Sequence, residues 1–285
     1  MSAPPFIRTM RASDLRAAGS WAEAEGWTSE SIEEFEVFLA YDPGGCLILE
    51  HDGVPAAVCV ATRFGDKGFI GEMIVSRGAR GLGLGPPLFD RALRYLLEVG
   101  CLSISLDAVP KAAPFYETRG FRTISLSRRF LGRIEPAGEP GVRPMRQADL
   151  ARVLTIDRVA FGADRSFFLR RRFELNPELA WIRTDGSRIL GYVFGRRRRT
   201  FAWAGPLWAP AGADDPAALL RGFAEGAGDV DIQAGVLDLS DRGLGLLRSL
   251  GFAEKPHPSR RMVLGDGEPV GLHPSLLTIG TAAKG

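Results

Sequence analysis

Cysteine and histidine are scarce in this chain, and long apolar runs and a marked excess of either charge are missing. Of its 285 residues only three are cysteine, Cys46, Cys59 and Cys101, and no two form a C-x-x-C pair. Such an odd, scattered set excludes a disulfide framework and fits a reducing, cytoplasmic setting. The three histidines, at positions 51, 257 and 273, are too few and too dispersed for a histidine-based metal centre, so no metal is expected. No apolar run approaches the roughly 20 residues of a membrane-spanning helix, so no membrane partner is expected. Residues 1–5 show no basic stretch leading into an apolar core, so no secretory leader is expected. Lys and Arg number 36 against 34 Asp and Glu, a net charge of +2, which argues against nucleic acid as a partner. The remainder, 45% hydrophobic and 25% charged, is ordinary for a globular protein, and the length suggests two domains.

Glycine is abundant, and its placement is informative. Residues 75–85 read V-S-R-G-A-R-G-L-G-L-G, between a strand-like run at 69–75 and a helical run at 88–99. Glycines at 81, 83 and 85 allow positive φ and a close approach of backbone to ligand. The N–H groups of such a turn, with the positive end of the helix behind it, favour a phosphate or pyrophosphate. The dinucleotide fingerprint G-x-G-x-x-G fails, because Gly83 is followed by Leu84, Gly85 and Pro86. The P-loop pattern fails for want of a lysine. A nucleotide-binding oxidoreductase therefore rests on the glycines alone.

The pattern that does match is R-x-x-G-x-G, through Arg80, Gly83 and Gly85. It resembles the coenzyme A pyrophosphate loop of the GNAT superfamily of acyl-CoA-dependent N-acyltransferases. A second segment agrees. Residues 101–109 alternate Leu102, Ile104 and Leu106 with small or polar residues, as a strand does. Residues 112–121 then carry Phe115-Tyr116 and close on Gly120-Phe121, similar to the GNAT ending. The resemblance covers roughly residues 6–133. It implies acetyl-CoA (coenzyme A) as co-substrate, without metal. It places Met73, Ile74, Val75, Arg80, Gly81, Leu82, Gly83, Leu84, Gly85, Asp107 and Phe115 at the cofactor. Met73 and Val75 would offer backbone groups to the pantetheine arm. Arg80 would pair with a phosphate through its planar fork; its bland reading is a surface arginine in a turn. Pro86 and Pro87 follow the loop and lack an N–H, so one or two donors of the cradle are missing.

The resemblance also makes Tyr116 the candidate general acid for the leaving thiolate; otherwise its ring simply packs. Glu72, on the strand before the loop, is the candidate base, against a plain strand glutamate that is solvated or salt-bridged. Asp107 is a weaker candidate of the same kind. The implied activity is N-acetyl transfer by direct attack of a primary amine in a ternary complex. The acceptor is a small-molecule or protein amine. The alternative is a non-catalytic acyl-CoA-binding sensor or interaction protein. A homodimer is left open.

The chain also repeats itself. The stretch I-R-T-M-R-A-S-D-L at 7–15 recurs as V-R-P-M-R-Q-A-D-L at 142–150. Asp52-Gly53 recurs as Asp185-Gly186, Gly120-Phe121 as Gly251-Phe252, and Arg128-Arg129 as Arg260-Arg261, all in the same order. We read a tandem duplication: a GNAT domain at 1–134, a Pro/Gly linker at 135–141, a degenerate GNAT-like domain at 142–265 and a tail at 266–285. The expected fold is α/β, two tandem GNAT-like domains, each a mixed, mostly antiparallel twisted sheet flanked by helices. In the first copy we expect a strand over 7–10, a helix from 14 to about 25 and a second helix opened by a Ser31–Glu34 capping box. Strands at 46–50 and 55–63 join through a hairpin turn at 51–53.

The second copy keeps the frame and loses the chemistry. Its loop at 210–216 has no arginine, one glycine and two carboxylates, Asp214 and Asp215. Leu247 stands where the first copy has Tyr116. No coenzyme A is expected there. Arg196 to Arg199 read as a solvated hairpin tip, with capture of an anionic acceptor as the sharper alternative. Arg170 to Arg172 read as a helix face. Trp21 and Trp27 read as core or acceptor-pocket residues. Leu276 to Ile279 read as a last strand or a docking segment.

Overall fold

The recurring motif builds the same joint twice, as the computed structural model shows for its described residues, 4–27 and 31–281. Arg8 donates to both carboxylate oxygens of Asp14, at 2.6 and 2.9 Å, and Asp14 accepts the backbone N–H of Arg11 at 2.7 Å. In the second copy Arg143 grips Asp149 with two bonds of 2.8 Å, and Asp149 accepts the N–H of Arg146 at 2.8 Å. The carboxylate thus ties the end of the first strand to the start of the first helix. The methionine between is buried both times, its N–H bonded to Cys46 O in one copy and Ala180 O in the other. The motif is a staple of the fold rather than part of a site.

The described residues divide into two compact units, one holding those up to Leu106 with Gly265–Gly267, the other Asp107–Leu264 and residues 268–281. The first unit runs β1 (Phe6–Thr9), α1 (Leu15–Ala24), α2 (Ile32–Tyr41), β2 (Cys46–His51), β3 (Val54–Phe64), β4 (Lys67–Val75), α3 (Gly85–Glu98) and β5, which begins at Ser103 and ends at Ala108. Its strands lie in the order 1-2-3-4-5. They are antiparallel except for the parallel pair β4–β5. The β2–β3 turn works because Asp52 and Gly53 both take positive φ, 52° and 77°, which matches strand twist. Helix α3 buries Leu88, Phe89, Ala92 and Leu96 along one face, against β3 and β4. Helix α2 starts after Ser31 as expected, but the Ser31 hydroxyl makes no cap bond. Its first turn instead carries Glu33 and Glu34 near the positive end of the helix.

The second unit runs α4 (Ala113–Glu117), β6 (Arg122–Gly132), β7 (Val142–Pro144), α5 (Gln147–Phe161), α6 (Ser166–Leu175), β8 (Trp181–Asp185), β9 (Arg188–Arg197), β10 (Phe201–Trp208), α7 (Ala217–Ala227), β11 (Asp231–Leu237), α8 (Asp241–Ser249), β12 (Ala253–Glu254), β13 (Ser259–Gly265) and β14 (Leu276–Thr278). Its strand order is 13-6-11-10-9-8-7, with β12 beside β6 and β14 beside β10. Strand β6 belongs to the first repeat by sequence, yet it ladders with β11 from Gly132↔Ile232 to Ser127↔Leu237 and with β13 on its other edge. The sequence repeat and the compact unit therefore divide the chain at different places, because β6 takes its partners from the second repeat.

The arginine runs are less solvated than expected. Arg196 is only 4% exposed. Arg197 donates to Ala227 O and Gly226 O, closing the C-terminal turn of α7. Arg172 is buried and donates to Gly205 O at 2.8 Å, so only part of the 170–172 run is a surface face.

The staple predicts acid sensitivity. The Arg143 hydrogen bonds, opposed by partial burial and helped by the Arg146 N–H, hold the Asp149 carboxyl below its ordinary 3.8. Its folded value is depressed, so its contribution is fully present above the unfolded value and is lost as pH falls through the folded value. Asp149→Asn should cost about 2 kcal/mol at pH 7 and progressively less as pH falls through the folded value. Equal melting temperatures of variant and parent at pH 7 would sink this role.

Candidate functional site

The second half of β4 departs from regular strand geometry. Val58 pairs Ile74 and Val60 pairs Gly71, so Glu72 and Met73 together oppose the single Cys59. This is a β-bulge, with Glu72 held at φ 51°. A non-glycine residue in that region costs on the order of 1 kcal/mol, and such strain is characteristic of functional sites. Glu72 is 3% exposed, which removes the reading of a solvated strand glutamate. Burial, and secondly the charge of Glu72, push the Cys59 thiol up, so Cys59 is no nucleophile at neutral pH. β4 ladders with β5 only from Lys67↔Ser103 to Ile70↔Leu106, while it continues through the bulge to Val75.

The loop that follows, 76–85, is the segment expected to cradle an anion. Ala79 N–H bonds Ser76 O, and Arg80 N–H bonds Arg77 O, which closes a tight 3-10 turn. Gly81 and Gly83 then take φ 80° and 72°, which demands glycine. A Cβ at either would meet no atom within 4 Å, so the space above the loop is open. Gly85 differs. It is the first residue of α3, and a Cβ there would touch Met73 Cε and Val75 Cγ2 at ordinary distances of 3.6 and 3.8 Å. Alanine would fit at 85, so the third glycine is not a conformational requirement. Leu84 is buried and anchors the loop, whereas Leu82 is half exposed. Pro86 and Pro87 fall in the first turn of α3 and remove two of its N–H groups. The cradle is therefore made chiefly from the backbone of residues 81–85 and from Arg80. These residues fit a pyrophosphate: an open concave backbone, a helix start and a guanidinium.

Arg80 has a partner that its local sequence does not announce. Its Nε donates to Val75 O at 3.2 Å, and its Nη2 to Glu25, just past the end of α1. Arg77 donates to Ala24 O on the same turn. Glu25 thus occupies the fork that a phosphate would use. Trp21 and Trp27, on either side of Glu25, are half-buried.

The remaining candidates lie in the second unit. Tyr116 is half-buried in an aromatic group, its ring edge-on to Phe115 at 5.1 Å and to Phe121 at 6.2 Å. The Arg119 guanidinium lies 3.8 Å over the Phe115 ring. The Phe121 N–H bonds Tyr116 O, so the Gly-Phe ending fixes the helix that carries the tyrosine. Asp107 is not poised for proton transfer. Its side chain has no exposure, and it accepts from Arg261 and from Ser127 Oγ, with Arg129 at 3.6 Å. Arg129 and Arg261 are repeat equivalents, and both converge on this carboxylate. Its own counterpart Asp238 accepts from Ser125 Oγ and Leu126 N of β6. The Asp107 side chain, expected at the cofactor or as a weaker base, is engaged in the structure by residues of β6 and β13. Leu247, where the second copy would need a tyrosine, is fully buried. Among the described residues no cluster of ligating side chains could hold a metal ion, and no helix is long and apolar enough to cross a membrane.

Known proteins agree with this layout. Residues 12–121 match the family described as "Acetyltransferase (GNAT) family", and residues 153–272 match "Acetyltransferase (GNAT) domain". Over 252 residues the chain is 27% identical to the holothin acyltransferase of Pseudoalteromonas sp. (strain SANK 73390), covering 87% of this chain and 84% of that protein. Its fold is similar to that of an assigned acetyltransferase of Pyrococcus horikoshii, with TM-score 0.80, 22% identity and coverage of 99% and 96%. A tandem GNAT protein from the clavulanic acid biosynthesis pathway aligns with TM-score 0.64, 12% identity and coverage of 93% and 100%.

The pairing of Glu25 with Arg80 generates a prediction. Glu25→Gln should tighten coenzyme A binding about twofold to fivefold, the worth of a partly exposed ion pair. Arg80→Glu should abolish binding and leave the melting temperature almost unchanged. Weaker binding by the Glu25 variant, seen by calorimetry, would contradict competition for the guanidinium.

Proposed function

With two GNAT matches spanning most of its length, the chain belongs to the GNAT acetyltransferase family, and on that premise we propose that it acetylates a primary amine using acetyl-CoA bound to the first repeat. The observation that carries this reading is the cradle: Gly81 and Gly83 at positive φ, open space above them, and Arg80 alongside at the start of α3. When bound, the thioester supplies an activated acyl group. The backbone of residues 81–85 and Arg80 hold the pyrophosphate. The free edge of Met73, Ile74 and Val75, beyond the point where β4 leaves β5, offers N–H and C=O groups to the amides of the pantetheine arm.

The acceptor amine must lose a proton as its nitrogen bonds the acyl carbon, and the departing sulfur must gain one. We assign the first proton to Glu72, directly or through a water, and the second to the Tyr116 hydroxyl. Phe115 and Phe121 orient the tyrosine ring. Binding both reactants in one complex supplies the rest of the acceleration through positioning. The relative named holothin acyltransferase supports acyl transfer as the class of reaction; its acceptor is not carried over to this chain.

Titration of the purified chain with acetyl-CoA should give one site per chain, absent in Arg80→Glu. No binding would overturn the assignment. With an amine that turns over, Tyr116→Phe should lower kcat by about 100-fold or more while coenzyme A affinity changes little. Turnover equal to the parent would deny Tyr116 the acid role, and binding without turnover of any amine would favour a sensor.

A further inference from the structure

The bulge of β4 has a counterpart in β10. Ala204 pairs Gly195 and Leu207 pairs Val193, so Gly205 and Pro206 oppose the single Phe194. Gly205 therefore corresponds to Glu72, and Leu207 and Trp208 to Ile74 and Val75. The parallel ladders also stop at equivalent residues, at Ile70 in the first repeat and at Trp203, opposite Gln233, in the second. Past Trp203 the edge of β10 does not stay open. Strand β14 lies against it, with Thr278 opposite Leu207 and Leu276 opposite Trp208, and Ile279 reaches across to bridge Gly235 on β11.

The fit is specific. The Thr278 hydroxyl accepts the Leu207 N–H at 2.9 Å and donates to Ala204 O at 3.2 Å, spanning the bulge. Ile279 N–H bonds Gly235 O at 2.8 Å, and Ala209 N–H bonds Ser275 O at 3.0 Å. A Cβ on Gly205 would lie 2.1 Å from Ile279 O, so the tail requires glycine where the first repeat has glutamate. Thr278 and Ile279 are 1% and 4% exposed. In the loop beyond β10, Asp215 is paired with Arg221.

We propose that residues 276–281 are a built-in occupant of the second repeat's ligand slot, an extended amide-bearing segment standing in for a pantetheine arm. The proposal rests on the assignment of the β4 edge to pantetheine. The second repeat is then closed to acyl-CoA by the chain's own tail as well as by its acidic loop, and the intact chain takes one cofactor.

Hydrogen exchange on the intact chain, with and without saturating coenzyme A, tests this. The Leu207 and Ile279 amides should be protected within about tenfold of the Ile232 amide, and coenzyme A should not alter them. Free exchange of these amides, their deprotection by coenzyme A, or a second equivalent bound would overturn the proposal. Gly205→Glu, which writes the first repeat's residue into the second, should deprotect Ile279 at least about tenfold while the β10–β11 ladder persists. Should that variant misfold, Thr278→Ala should deprotect Leu207 by about tenfold, and unchanged protection would overturn the proposal. If coenzyme A binds nowhere, the first-repeat assignment fails, while the Gly205 and Thr278 variants still decide whether the slot is filled.

Discussion

A parallel strand pair that parts at a bulge leaves a strip of backbone whose N–H and C=O groups need partners. That constraint arises twice in this chain, at β4 after Ile70 and at β10 after Trp203. Leaving such groups buried and unmet costs about 1–3 kcal/mol each, so each strip invites an occupant. In the second repeat the occupant is visible: β14, tied down by Thr278 and Ile279. In the first repeat the bulge leads directly into a glycine-arginine turn, which is what a ligand with amides at one end and phosphates at the other would use. One geometry thus serves as a self-filled joint in one copy and a proposed cofactor site in the other.

The two repeats share their framework because the framework rests on short-range electrostatics. Arg8 with Asp14, and Arg143 with Asp149, set the same strand-to-helix joint with the same bonds. Their divergence is concentrated where the strands part and in the loop beyond. Glu72 becomes Gly205, Arg80 has no counterpart, and Tyr116 becomes Leu247. The carboxylates at the ends of β5 and β11 are anchored to strand β6 in both cases, with β13 adding Arg261 on Asp107. Asp107, so committed and with no exposed side-chain surface, holds strands together. The same logic applies to Arg196 and Arg172, which a charge run alone would place in solvent.

Much of this was legible in the residues. The duplication, the β2–β3 hairpin, the strand-loop-helix around Gly81 and Gly83, and the lack of an arginine in the second loop all follow from local patterns. The capping box at Ser31 was legible and wrong in its chemistry, since a residue spacing permits a hydroxyl bond without forcing it. Gly85 shows the opposite error: three glycines in a row of alternate positions look equivalent, but only two require positive φ.

Contacts distant in sequence were not legible, for a physical reason. Local sequence determines φ/ψ preference, helix period and turn type, because those depend on neighbours within a few residues. So the sequence by itself determined the tandem fold, the glycine-arginine turn before α3 and the absence of that turn's residues from the second copy. Only the tertiary structure decided that Arg80 meets Glu25, that Asp107 is paired with Arg261, that β6 ladders with β11, and that β14 of the tail pairs with β10. Those pairings depend on which charged and hydrogen-bonding groups the packed sheet brings within reach, and no pattern along the chain encodes that distance.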